Sequence, residues 1–319
     1  MKKIALEEHF LAPGFEEYWA PTVGSVDRTI YTRLLVQLKD FGDRRLDAMD
    51  RAGIERSVLS LAGPGVQVEP DPVVARRRSS AVNDLLAREI QKRPHRYSGF
   101  AHLPMQDVSA AADELERCVR NLGFCGALIN GHTHGRYLDD PVFDPFWERA
   151  EAIGAPIYLH PADPVSTYPA IDGCDGLKRA MWEWGVETGS HALRLILGGV
   201  FDRFPKVTLM LGHLGETLPY LLWRFNSRAR IYGLNLKKRP SEYIREHICV
   251  TTSGMFSAEP LRCAIDSLGA SRVLFSADFP FESADEAGSF MEIVSLDDST
   301  RMDICFRNAE RVLGLRKRA

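Results

Sequence analysis

The chain has 319 residues, 45% hydrophobic and 26% charged, which supports a large core and argues against disorder. Its formal net charge of −3 leaves no cationic excess to neutralise phosphates, so no nucleic-acid partner is expected. No stretch reaches the roughly 20 apolar residues of a bilayer span, and the run after Met1-Lys2-Lys3 breaks at Glu7-Glu8-His9, too early for a secretory leader; a cytoplasmic protein without membrane contact is expected.

Short apolar runs alternate with longer helical stretches along the chain. Lys3 to His9 is the first predicted strand. The next segment, Phe10 to Lys39, holds Pro13, Gly14, Pro21 and Gly24 and is expected as a long loop over the mouth of the fold. Arg45, Leu46 and Met49 lie on the first predicted helix, and Glu55 to Leu61 is the second strand. A helix over Val74 to Lys92 is announced by Asp71-Pro72 and closed by Arg93-Pro94. Strands at Tyr97 to Leu103 and Phe124 to Asn130 flank a helix over Val108 to Asn121, which Leu122-Gly123 terminates. A helix at Phe143 to Ile153 leads to a strand at Pro156 to His160, and one at Ala180 to Phe201 leads to a strand at Val207 to Gly212. Helices at Tyr220 to Tyr232 and Glu259 to Leu268 bracket a strand at His247 to Thr252. The eighth strand, Arg272 to Ala277, precedes the last helices, from about Asp285 to Leu313.

Several of these strands are too apolar for a sheet with one wet face, which favours a parallel sheet buried on both sides. Eight strands alternating with helices favour an α/β fold of the closed (β/α)8 TIM-barrel type, as one domain over residues 1–319. The six cysteines show no CxxC pairing and read as reduced, small core residues. The basic tail Arg316-Lys317-Arg318 reads as a solvated end.

Chemistry-bearing residues cluster at the ends of the strands, where barrel active sites lie. The first strand ends Leu6-Glu7-Glu8-His9, and side-chain alternation puts Glu7 and His9 on one face. His160 ends the fifth strand; His213, flanked by glycines at 212 and 215, follows the sixth; Asp278 follows the eighth. Each has an ordinary reading: an exposed strand end, a satisfied core histidine, a helix N-cap. Together they form a nitrogen–oxygen set suited to zinc, manganese or iron(II). A purely structural use of all five accounts poorly for their convergence on one rim.

The chain resembles the decarboxylase branch of the amidohydrolase superfamily, which contains aminocarboxymuconate semialdehyde decarboxylase. Within it the chain is most similar to γ-resorcylate, 2,3-dihydroxybenzoate and 5-carboxyvanillate decarboxylases. The resemblance runs from Ala5-Leu6-Glu7-Glu8-His9-Phe10 to Asn308-Ala309-Glu310-Arg311 and includes Tyr158-Leu159-His160-Pro161, Gly212-His213-Leu214-Gly215-Glu216, Trp223-Arg224 and Thr252-Ser253-Gly254. It implies an amidohydrolase-type barrel in which Glu7, His9, His160 and Asp278 hold one divalent metal ion, manganese by family precedent, with zinc also suited to these ligands. It implies a cytoplasmic carboxy-lyase that removes carbon dioxide from a small hydroxylated aromatic acid without oxidation, working as a homodimer or homotetramer. His9 fits the γ-resorcylate type, whereas His132-Thr133-His134-Gly135-Arg136-Tyr137-Leu138-Asp139 resembles the 5-carboxyvanillate type, so the particular acid stays open.

The resemblance gives Asp278 the role of acid toward the ring carbon and His213 a proton or hydrogen-bonding role. Glu216, three residues on, is expected to orient His213, or else is an acidic residue in the first turn of a helix. Arg224, Asn130 and Arg45 are the expected substrate contacts, Arg224 from a neighbouring subunit; their alternatives are a surface arginine, a strand terminator and a solvated helix residue. His191 is expected to be a packed, hydrogen-bonded core histidine. Two other readings compete: a metal-dependent lactonase or amidase of the same superfamily, against which Glu7 in place of a first-strand histidine argues, and a non-catalytic binding barrel.

Overall fold

The computed structural model describes residues 1–24 and 26–315. The tail Arg316-Lys317-Arg318 lies outside the described residues. Eight strands run in chain order around one sheet: β1 Lys3–Phe10, β2 Ile54–Leu61, β3 Tyr97–Ala101, β4 Gly126–Asn130, β5 Ile157–His160, β6 Leu209–Leu211, β7 Ile248–Thr251 and β8 Val273–Leu274. Every neighbouring pair from β1–β2 to β7–β8 is parallel. This is a nearly closed (β/α)8 barrel, and the strands are buried on both faces, as their apolar character requires.

Two cores follow from side-chain alternation. Ile4, Leu6, Val58, Phe100, Leu128, Tyr158, Met210, Cys249 and Leu274 fill the barrel interior. Their sequence neighbours, among them Ala5, Leu59, Ala101, Ile129, Leu159 and Leu211, pack outward against the helices. β1 departs from strict alternation. Its pairing with β2 slips between Ala5 and Glu8, where three steps along β1 match two along β2. Ile4 and Leu6 face inward, so an unbroken strand would send Glu8 inward too. The bulge reverses the parity and turns Glu7 and His9 into the barrel instead.

Among the described residues no ladder joins β8 to β1. The outer edge of β8 is covered by the C-terminal segment: Phe275 N–H donates to the Ile304 carbonyl at 2.9 Å, and Asn308 Nδ2 donates to the Val273 carbonyl at 2.8 Å. Ile304 lies in a π-helical turn, Asp303–Arg307, that packs against both β8 and β1.

Three expectations need correction. The segment after β1 is no plain loop, because it contains the helix Arg28–Leu38, capped by Asp27, whose carboxylate accepts from the Thr29 and Ile30 amides. The helix expected over Ala180 to Phe201 runs only over Glu183–Leu197; Gly199, at φ 71°, breaks it before a short turn, Val200–Arg203. None of the six cysteines is in a disulfide among the described residues, but only four are buried, with Cys174 exposed and Cys263 half-buried. No helix among the described residues is long and apolar enough to cross a membrane.

Candidate metal centre and active site

Glu7, His9 and His160 meet at the C-terminal mouth of the barrel, each offering a ligand atom within 4.8 Å of the others. His160 Nε2 stands 3.5 Å from Glu7 Oε1, and the two imidazoles meet edge-on with centroids 4.9 Å apart. The tautomers follow from the bonds. His160 Nδ1 donates to its neighbour Pro161's carbonyl at 2.8 Å, which leaves Nε2 with a free lone pair. His9 Nδ1 is tied to Ser60 Oγ at 3.2 Å, and its Nε2 faces the cluster.

Glu7 is held from one side only. Its Oε2 accepts hydrogen bonds from Tyr158 Oη and Ser253 Oγ, and both hydroxyls contact Thr251 Oγ1 at 2.8 Å. Glycine leaves room beside these groups: a Cβ at Gly212 would lie 2.7 Å from Glu7 Oε2 and 3.2 Å from Ser253 Oγ. Asp278 Oδ1 lies 3.2 Å from His9 Nε2, and Asp278 Oδ2 lies 3.9 Å from His213 Nε2. Among the described residues Glu7 Oε1, His9 Nε2 and Asp278 Oδ1 are buried and make no well-formed hydrogen bond, His9 Nε2 and Asp278 Oδ1 meeting only as an ion-pair contact. Buried polar atoms of this kind are costly unless something binds them. Two imidazole nitrogens and two carboxylate oxygens left unsatisfied around one point fit a divalent metal ion.

His213 and Glu216 form a second pair, Nδ1 to Oε1 at 2.6 Å. The backbone that brings them together is unusual. His213, Leu214, Gly215, Glu216 and Thr217 all have positive φ, from 51° to 87°, a full turn of left-handed helix. Strain of this kind persists where surrounding contacts fix it, and it gathers at functional sites.

Burial pushes Glu7 up, with Asp278 adding to the rise and His213 opposing it. Burial, with His9 adding to it, lowers His160 to about 3, so its imidazole is neutral and fit to bind metal. Burial would lower His213 too, but Glu216 and Glu7 outweigh it and hold the imidazole well above its ordinary value. Burial raises Asp278, yet its contacts with His213 and His9 prevail and bring it to about 2. Before a metal binds, these contacts favour a proton on His213 and an ionised Asp278.

The remaining expected residues fall in three places. Asn130, at the end of β4, is 1% exposed; its backbone pairs with Gln67, while both polar atoms of its side chain are unpaired. Arg45 differs from expectation. It is buried, and its guanidinium donates to the carbonyls of His9, Asp40 and Gln37, so it braces the end of β1 from outside. Arg224 is exposed on the helix Leu218–Ile231, beside Trp223 and Tyr220. The sequence reading missed Tyr158, Thr251, Ser253 and Ser60. Their signal was available: Tyr158 lies two residues before His160 and shares its inward face. Phe281, whose ring centroid is 5.4 Å from that of His9, supplies an apolar wall.

A family model for amidohydrolases matches residues 34–315. The chain belongs to the amidohydrolase family. A γ-resorcylate decarboxylase of Polaromonas sp. (strain JS666) is 41% identical over 99% of both chains. The crystal structure of a dihydroxybenzoic acid decarboxylase from Polaromonas sp. JS666, with bound manganese and the inhibitor 2-nitroresorcinol, is 40% identical. It covers 100% of this chain and 98% of its own, with a TM-score of 0.92. A 5-carboxyvanillate decarboxylase from Novosphingobium aromaticivorans, with manganese, is 33% identical, covers 98% and 96%, and has a TM-score of 0.90. Full-length similarity at this level places the chain among the aromatic acid decarboxylases of the family, which are carbon–carbon lyases.

Proposed function

We propose that this protein decarboxylates a 2,6-dihydroxybenzoate-like acid without oxidation, using a divalent metal held by Glu7, His9, His160 and Asp278. The observation that carries the site is the trio of buried atoms without a well-formed hydrogen bond, Glu7 Oε1, His9 Nε2 and Asp278 Oδ1. The ligand types and the manganese in two solved relatives support manganese as the working ion. His9 and the higher identity to the γ-resorcylate decarboxylases favour the 2,6-dihydroxy pattern over 5-carboxyvanillate.

Bound there, the ion supplies Lewis acidity and a template for the carboxylate and an ortho hydroxyl. The chain's own groups handle the proton. An anionic substrate beside Asp278 raises that carboxyl's proton affinity. Asp278 takes a proton from His213 and delivers it to the ring carbon that carries the carboxylate. The C–C bond then breaks, its electron pair restores the ring, and carbon dioxide leaves. Glu216 holds His213 in place and keeps it charged between turnovers. Asn130 offers a ring oxygen its unpaired amide, and Phe281 excludes water from one side.

An exposed aromatic face supports a homo-oligomer: Tyr220 is 79% and Trp223 76% exposed on the helix that carries Arg224. On this reading the role given to Arg224 is to pair with a substrate carboxylate in a neighbouring copy that covers this face. A cytoplasmic location accords with cysteines that form no disulfide among the described residues.

The test is ultraviolet-monitored turnover of 2,6- and 2,3-dihydroxybenzoate, salicylate and 5-carboxyvanillate by metal-stripped protein with and without manganese. Manganese-dependent conversion of 2,6-dihydroxybenzoate to resorcinol is the expected result. Hydrolysis of a lactone with no loss of any acid would move the protein to the hydrolase reading.

A further inference from the structure

Three of the four proposed metal ligands come from two strands that no ladder joins among the described residues. Glu7 and His9 lie on β1, Asp278 follows β8, and the seam between these strands is closed by side chains. Ser276 Oγ accepts the Glu7 amide N–H at 2.6 Å and donates to Glu8 Oε1 at 3.1 Å. Glu8 Oε1 also accepts the Ala277 amide N–H at 2.9 Å, one residue before Asp278. One backbone bond completes the seam, from His9 N–H to the Phe279 carbonyl at 2.7 Å. Glu8 is only 2% exposed and Ser276 fully buried. Such a carboxylate has no place in an apolar seam unless its bonds are needed. Arg45, which donates to the His9 carbonyl, is the cation facing Glu8, and Asp278 is the anion; these are the charges around it.

Asp278 itself has a φ of 67°, in the left-handed region, which aspartate tolerates better than most residues but which surrounding contacts help to fix. The Ala277 amide is the flank that Glu8 fixes.

We propose that Glu8 and Ser276 are positioning residues for the metal site: a clasp that takes the place of the missing β8–β1 ladder and sets the separation of Asp278 from Glu7 and His9. This rests on the metal reading above. Groups that hold metal ligands in place commonly account for about 10–100-fold in metal affinity. The clasp acts through the backbone of the ligands, so its loss is expected to weaken binding by that order while leaving the barrel folded.

The experiment uses Glu8→Gln, Glu8→Ala and Ser276→Ala with His160→Ala as a reference, all as metal-stripped full-length protein. It reads the manganese dissociation constant, the unfolding midpoint, and hydrogen exchange of the Glu7 and Ala277 amides. Glu8→Ala and Ser276→Ala are expected to raise the dissociation constant about 10–100-fold and to speed exchange at the seam. Glu8→Gln keeps an acceptor for Ala277 and is expected to fall between them and the unaltered protein. If Glu8→Ala does not fold, Ser276→Ala, which removes only a hydroxyl, decides the matter. Unaltered affinity and seam exchange in folded variants overturn the clasp. Failure of the metal reading is separate: it appears as no manganese uptake by the unaltered protein, and seam exchange alone then decides for or against the clasp.

Discussion

Thr217 offers a direct test of the strained turn that presents His213 to Glu216. It sits at φ 66° and ψ −6°, is exposed, and caps the helix Leu218–Ile231 without a side-chain hydrogen bond. The left-handed region costs an L-residue about 1–2 kcal/mol, and more when the side chain is β-branched. Glycine removes that strain but gains freedom in the unfolded chain worth about 0.5–1 kcal/mol. No buried surface and no cap is lost, so Thr217→Gly is expected to stabilise the protein by about 0.5–1 kcal/mol. Leu214, in the same turn at φ 53°, gives the opposite sign. It is 4% exposed, and Leu214→Gly forfeits burial and opens a cavity worth about 2–5 kcal/mol, more than the strain it relieves. Denaturant unfolding of both variants is the assay. A destabilised Thr217→Gly protein refutes the argument, because the turn would then hold Thr217 without strain.

His160→Ala is expected to lose bound manganese while keeping its fold; full occupancy by elemental analysis would show that the ligand set is wrong. Asp278→Asn should abolish turnover in a folded protein, and near-normal rates would remove it as the proton donor. Glu216→Gln takes away the nearest charge that raises His213, so the pH at which kcat falls on the alkaline side should move downward; an unmoved profile would separate the pair from the chemistry. His191 is fully buried, accepts the Leu138 amide N–H at 2.9 Å, and is lowered by burial to about 3. Its unfolded value is near 6.5, so the unfolded state binds the extra proton, and the stability this neutral histidine contributes is complete above pH 6.5 and lost as pH falls toward 3. His191→Gln should flatten stability against pH in that window by about 1.4 kcal/mol per pH unit; an unchanged slope counts against the assignment.

The strand ends were legible because chemistry at a barrel mouth leaves polar residues where apolar strands stop. Glu7, His9, His160, His213 and Asp278 stood out on that ground alone, and the structure brings all five to the mouth. The parity of β1 was not legible. Alternation says that Glu7 and His9 share a face, but only pairing with β2 reveals the bulge that makes it the inner one. The helix Arg28–Leu38 was missed because it buries only Leu34 and Leu38, too sparse an apolar stripe to register, although Asp27 marks its start. The left-handed turn was half announced by Gly212 and Gly215. The side chains at 213, 214, 216 and 217 argue for an ordinary helix start, and only the packed barrel overrides that preference. Arg45 looked like a surface helix residue or a substrate contact. That it reaches the carbonyl of His9 depends on how its helix is laid against β1, which no local pattern encodes.

The covering of β8 by the C-terminal segment also bears on association. A strand with free amides and carbonyls is a template for any other extended chain. Here the Ile304 carbonyl and the Asn308 side chain occupy groups of Phe275 and Val273 that a ninth strand would otherwise claim. A chain cut before Asp303 would keep every residue assigned to the mouth yet bare this edge. Its expected fate is edge-to-edge aggregation, so in this barrel the last turns of chain serve solubility as much as shape.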